Sequence, residues 1–402
     1  MTPVPASASP DTDRQARRNV AVLAGATALA GANASVIFAT GAIAGVQLAP
    51  DPSFATAPIT VYVLGMAFGT LPIGYIARHL GRRTSFMVGA GFGAMCGLLA
   101  CAAVLTGTFW LLLVATFCGG VYAAAAQAYR FAAADMASPA FRPRAISLVM
   151  AGGVLAGVVG PQLVTHTMDL WPPYLFAASY LGQAAVALLA MALLSFVDIP
   201  RLAGESAGGG RSLMEVARQP AFIVAAICGV VTYALMNFVM TAAPLAMRLC
   251  GHPITDSNLA IQWHVIAMYA PSFVTGSLIA RYGAGRVVAA GLVLTAGAAV
   301  VGLMGQGVWH FWIALIVLGV GWNFGFIGAS AMVTQTHRPE ERTRVQSFND
   351  FLIFGTMAVG SFSSGHILTE QGWNAVNLVV FPPVALALAM LAIRAMRGRR
   401  AA

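Results

Sequence analysis

Apolar and polar positions along the chain sort into twelve apolar runs separated by short polar breaks. The runs fall at 19–47, 56–79, 84–106, 109–136, 143–166, 172–197, 220–248, 257–281, 286–306, 309–336, 344–368 and 373–396. A helix needs about 20 apolar residues to cross a bilayer, and every run meets that length. In lipid each crossing segment must satisfy its own backbone polar groups, so each run is expected to be a helix. The longest polar break, "VDIPRLAGESAGGGRS" at 197–212, is glycine-rich and charged and falls between runs six and seven. It reads as a linker between two halves. The expected organisation is a disordered cytoplasmic N-terminus at 1–18, a six-helix bundle at 19–197 and a cytoplasmic linker at 198–219. A second bundle follows at 220–397, then a short cytoplasmic tail at 398–402. The fold class is an all-α membrane protein with twelve transmembrane helices in two pseudo-symmetric six-helix bundles.

Charge fixes the orientation. Only 9% of residues are charged, against roughly 25% in a soluble domain. All 22 basic residues are arginines. On the twelve-run topology 21 of them fall on one face, and Arg248 alone falls on the other. The positive-inside rule puts both termini in the cytoplasm, as expected for a bacterial inner-membrane protein. The arginines lie in short clusters between apolar runs rather than along one stripe, which excludes nucleic acid as a partner and leaves the lipid bilayer. The five cysteines lie in or at the ends of apolar runs without zinc-type spacing, so no disulfide framework is expected. Nothing points to an enzyme or a permanently bound cofactor.

The two halves repeat. "FRPRAISLVMAGGVLAGVVG" begins at Phe141 and "ERTRVQSFNDFLIFGTMAVG" at Glu341. Arg142, Arg144, Ser147 and Gly160 recur 200 residues later as Arg342, Arg344, Ser347 and Gly360. A duplicated six-helix unit is a transporter signature, with substrate held near the midplane between the repeats. The break between runs two and three, "GYIARHLGRR", resembles the gating-loop pattern G-x-x-x-D-x-x-G-R-R of the major facilitator superfamily through Gly74, Gly81, Arg82 and Arg83. Arg78 stands where that pattern has its acid. The resemblance covers essentially the whole chain and implies alternating access between two bundles.

The candidate chemistry is soft and neutral. No cluster of buried cations suggests an anion clamp. Asp350, a few turns into run eleven, is the candidate for proton coupling, or else pairs with an arginine. Run seven holds "MNFVM" and run eight "HVIAM", which place Met236 with Met240 and His264 with Met268 one helical turn apart. Taking Cys228 as zero and about 100° per residue, Met236, Met240, Met247 and Cys250 fall within about a third of the circumference. Adjacent runs are antiparallel, so equal index sums mean equal depth, and the pairs Met236/Met268 and Met240/His264 share one sum. Two readings stand: methionine as apolar filler, or a soft-metal site suited to copper(I). Cys228, Cys250 and Met247 are then secondary candidates along a metal path.

The paired Met-x-x-x-Met and His-x-x-x-Met stretches resemble those of CcoA-type copper importers, a branch of the same superfamily that supplies copper for cbb3-type cytochrome c oxidase assembly. That resemblance implies copper as substrate, Met236, Met240, His264 and Met268 as its ligands, uptake into the cytoplasm, and a cytoplasmic copper-accepting protein as partner. The alternative within the superfamily is a proton-coupled efflux transporter for drugs or metabolites.

Overall fold

The computed structural model describes residues 10–51, 54, 57–199 and 210–401. Among the described residues there is no strand, and twelve helical spans are long and apolar enough to cross a membrane. Spans one to six are Arg14–Gly41, Ala57–Leu80, Arg82–Thr106, Phe109–Met136, Arg142–Thr167 and Ala177–Leu194. Spans seven to twelve are Pro220–Leu249, Leu259–Tyr282, Ala284–Met304, Val308–Val333, Pro339–Leu368 and Glu370–Arg397.

Packing follows the two-half plan. Span two lies against span four, span three against spans four and six, and span one against spans five and six. In the second half span seven lies against spans ten and eleven, while span ten also packs on spans eight and nine. Lipid offers no hydrophobic drive for helix association, so close approach depends on small residues. A Cβ at Gly120 of span four would overlap the Tyr62 carbonyl of span two. A Cβ at Gly291 of span nine would lie 2.5 Å from the Gly325 nitrogen of span ten. The halves meet along two seams, span two with span eleven and span five with span eight.

Several spans are interrupted, among them spans four, five and eight. Span four breaks at Ala128, span five at Gly152, and span eight at Ala270 and Pro271, where proline removes a backbone donor. Spans five and eight, the two members of one seam, are thus both interrupted.

The polar ends differ from the sequence expectation. Helix begins at Pro10, inside the stretch expected to be disordered; residues 1–9 of that stretch lie outside the described residues. The extra turns are anchored: Gln15 donates to the Asp198 carboxylate at 2.8 Å and Asn19 to the Asp198 carbonyl at 2.7 Å. The arginine-rich sequence hides this because its tertiary partner lies almost 200 residues away. Of the expected linker, 200–209 lies outside the described residues. The remainder holds a short helix, Leu213–Ala217, whose N-terminus is closed by reciprocal Ser212–Glu215 hydrogen bonds. Beside it Arg211 grips Glu341 with a bidentate pair, Nε at 2.8 Å and Nη2 at 2.6 Å. The last helix, Phe381–Ala401, also runs through most of the expected tail, of which residue 402 lies outside the described residues.

Candidate functional site

Between the halves lies a cavity with about 1030 Å³ of atom-free space, part of it open to solvent. Spans one, two, four and five supply one wall, and spans seven, eight and eleven the other. The walls hold six methionines, Met66, Met150, Met236, Met240, Met268 and Met357, and four aromatic rings, Phe38, Tyr62, Tyr233 and Tyr269. Thr27, Ser35, Gln127 and Asn237 add polar groups, and no acidic, basic or histidine side chain lines the space. Apolar and aromatic walls with a few polar groups suit a neutral, polarizable ligand.

The aromatic walls are held in place from behind. Tyr233 meets Trp322, Phe326 and Phe354 edge to face, with centroids 5.4, 4.9 and 5.5 Å away. Tyr269 meets Trp322 in the same way at 5.5 Å. Edge-to-face contacts favour these ring orientations beyond simple burial. Gln127 reaches the Tyr233 hydroxyl at 3.4 Å across the two halves.

Polar contacts between the halves gather toward the arginine-rich side of this cavity. Arg130 of span four is fully buried and donates to Asp350 of span eleven at 2.6 Å and to Ser330 of span ten at 3.1 Å. Its guanidinium lies over the rings of Phe131 and Phe326, at 4.3 and 4.5 Å. Asp350 also accepts from Asn349 at 3.2 Å. One step closer to the arginine-rich surface, Arg82 pairs with Asp135 at 2.5 Å and donates to Gln346 of the other half at 2.7 Å. Arg342 approaches Asp135 from the second half at 3.7 Å.

Close approach at glycines adds to these contacts. A Cβ at Gly74 would overlap the Ser347 hydroxyl. On the other seam the Gly276 amide donates to Ser147 at 2.9 Å, and Ser147 donates to the Ser272 carbonyl. Ser147 and Ser347 are the serines matched by the internal repeat, so each half sets one of them against a glycine of its partner.

These contacts place the expected gating-loop residues. Gly81 adopts φ 92° where the chain turns between spans two and three, a left-handed value suited to glycine. Arg82 carries an acidic contact here, because Asp135 comes to it from the end of span four. Arg83 lies beside it in the first turn of span three. Arg78 closes the last turn of span two.

The four residues expected to ligate copper do not all line the cavity. Met236, Met240 and Met268 share the cavity wall, but His264 does not line it. The His264 ring is fully buried and turned toward span ten, with Nδ1–H donating to the Leu315 carbonyl at 2.6 Å. Equal index sums fixed depth along the membrane normal and left rotation about the helix axis undetermined. The cavity stripe of span eight is Val265, Met268 and Tyr269, and His264 lies about 100° around the helix from its centre. Among the described residues, no group of three or more His, Cys, Asp or Glu side chains is arranged to hold a metal ion. Cys228 and Met247 are buried in the packing of span seven away from the cavity. Cys250 ends that span, its thiol donating to Gln306 at 3.4 Å.

Sequence reasoning passed over Asn237, which sits between the two methionines of "MNFVM". Tyr233, Met236, Asn237 and Met240 form one helical stripe on the cavity. The readable signal was an amide deep in an apolar run, an expensive group that marks an interior or cavity face.

A family profile described as Major Facilitator Superfamily matches residues 23–260 and 225–402. The chain is 47% identical over 382 residues to a riboflavin transporter, RfnT, of Brucella anthropi, covering 94% of this chain and 96% of that one. It is 29% identical to the uncharacterized MFS-type transporter YdeG of Bacillus subtilis, over 90% of this chain and 88% of the relative. In fold it is similar to the E. coli fucose:proton symporter FucP, with TM-score 0.76 at 14% identity, covering 93% of this chain and 98% of that one. It is likewise similar to the proton:xylose symporter XylE, with TM-score 0.80 at 12% identity, over 94% and 96% of the two chains. The near-full-length likeness to a riboflavin transporter overturns the expectation of copper import, and with it copper as substrate and the link to cytochrome oxidase assembly. The turned-away His264 is the physical counterpart of that correction.

Proposed function

This chain belongs to the Major Facilitator Superfamily, and from that premise we propose that it carries riboflavin across a bacterial inner membrane by alternating access. The observation that carries the reading is 47% identity, along nearly the whole of both chains, to a protein named a riboflavin transporter. The cavity supports it chemically. The isoalloxazine ring of riboflavin is flat, aromatic and uncharged, and its ribityl chain carries hydroxyls. Tyrosine faces and thioethers suit the ring, and the polar groups among them suit the heteroatoms. Met236, Met240 and Met268 are then walls for a polarizable ring.

With both termini in the cytoplasm, as the positive-inside rule reads the arginines, the polar contacts between the halves lie on the inner side, and we read the cavity as that of a state that receives cargo from outside. The membrane potential exerts no force on a neutral solute, so accumulation needs a coupled ion or consumption of the product inside. Asp350 is the candidate for proton coupling, because its partner Arg130 comes from the opposite half and the pair must rearrange as the halves rock. Gly74, Arg78, Gly81, Arg82 and Arg83, at the junction of spans two and three, are then the residues that latch the inner side.

A riboflavin auxotroph lacking its own uptake system tests the assignment. Expression of this chain is expected to restore growth at low external riboflavin without changing cellular copper. Growth that stays dependent on high riboflavin despite normal protein levels overturns it.

A further inference from the structure

Asn237 is 5% exposed, lines the cavity, and its Nδ2 has no hydrogen-bond partner. A buried amide N–H without a partner is costly, so in a native structure it points to an absent acceptor. Its neighbours on the stripe, Tyr233, Met236 and Met240, offer faces and thioethers. Gln127 is already engaged: it accepts from Arg130 at 3.2 Å through its side-chain oxygen and donates to Tyr233. Asn237 therefore carries an unpartnered amide N–H in a wall of flat and soft groups.

We infer that Asn237 reads the pyrimidinedione edge of the flavin, an inference that rests on the riboflavin reading. That edge presents a carbonyl beside the N3–H, flanked by a second carbonyl. A primary amide complements it: Nδ2–H donates to a ring carbonyl and Oδ1 accepts from N3–H. Tyr233 and the methionines hold the ring while Asn237 sets its in-plane orientation. The site thereby distinguishes a flavin from an apolar aromatic of the same size, because a ring lacking the imide leaves the buried donor unpaired.

The test compares riboflavin with 3-methylriboflavin, in which a methyl group replaces the N3 proton, using purified full-length protein. Intrinsic tyrosine and tryptophan quenching reports binding. Wild type is expected to prefer riboflavin by about tenfold or more, the scale of losing a hydrogen bond and leaving its partner buried. Asn237→Leu is expected to bind riboflavin at least about tenfold more weakly and to lose that preference. Asn237→Ala, tested beside it, keeps the experiment decisive if leucine perturbs folding; Nδ2 has no internal partner, so no internal hydrogen bond is lost through it. Either folded variant retaining wild-type affinity and preference overturns the role of Asn237 while leaving riboflavin transport standing. Equal wild-type affinity for the two flavins overturns it as well. Failure of wild type to bind riboflavin at all overturns the underlying reading and this inference together.

Discussion

Arg130→Leu is expected to destabilise the protein by about 3–5 kcal/mol, the range for removing one partner of a buried ion pair. The substitution strands Asp350, which is 4% exposed and draws its charge compensation from Arg130 at 2.6 Å. It also removes the Ser330 hydrogen bond and the stacking on Phe131 and Phe326. The double variant Arg130→Leu/Asp350→Leu is expected to recover much of the lost stability, because no unpaired charge is left behind. Transport is expected to stay impaired in both, since the latch joining spans four and eleven is gone. Thermal melts in detergent, beside riboflavin uptake at matched expression, separate the two effects. Equal destabilisation of the single and double variants would mean that the ion pair itself contributes little.

Gly74→Leu carries the second large effect. The side chain of Ser347 occupies the space a Cβ at position 74 would need. Leucine there cannot coexist with the sealed inner side, so the equilibrium moves toward the state in which spans two and eleven separate. A shift from nearly all one state to nearly all the other requires about 5.5 kcal/mol, and overlap of side-chain atoms in a packed seam reaches the scale of a few kcal/mol. Uptake is expected to fall by about tenfold or more, with folding retained. Spin labels at the inner ends of spans two and eleven are expected to report a longer separation than in wild type. Gly276→Leu is expected to act alike on the other seam, where a Cβ would lie 2.6 Å from the Arg144 Cα. Unchanged label distances in either variant would show that the glycine–serine contacts do not set the state.

The fold was legible because its determinants are periodic and coarse. Runs of apolar residues long enough to span a bilayer, one face collecting the arginines, and a repeat offset of 200 residues each survive an error of a few residues in any boundary. The site was legible only in part. Depth follows from position along a helix, and Met236, Met240 and Met268 do share one cavity wall. Rotation depends on which neighbour each helix packs against; span ten claims His264 through the Leu315 carbonyl. The cargo was not legible from sulfur alone. Thioethers bind a soft ion and also cushion an aromatic ring, and the sequence does not say which of the two they face. On the proposal above, the side chain that separates the two is Asn237, in the same five residues that drew attention for their methionines. Contacts between the halves were likewise hidden: Arg130, Asp135 and Asp350 could each be singled out in the sequence. Their pairing with one another and with Arg82 and Arg342 is a property of the packed halves.

Uptake of radiolabelled riboflavin into proteoliposomes holding the purified protein is the most direct measurement of whether a charge-free aromatic cavity carries a neutral flavin. Saturable entry, competed by unlabelled riboflavin and indifferent to added copper, is the predicted result. Entry no faster than in protein-free vesicles, from preparations that are folded and correctly inserted, would contradict it.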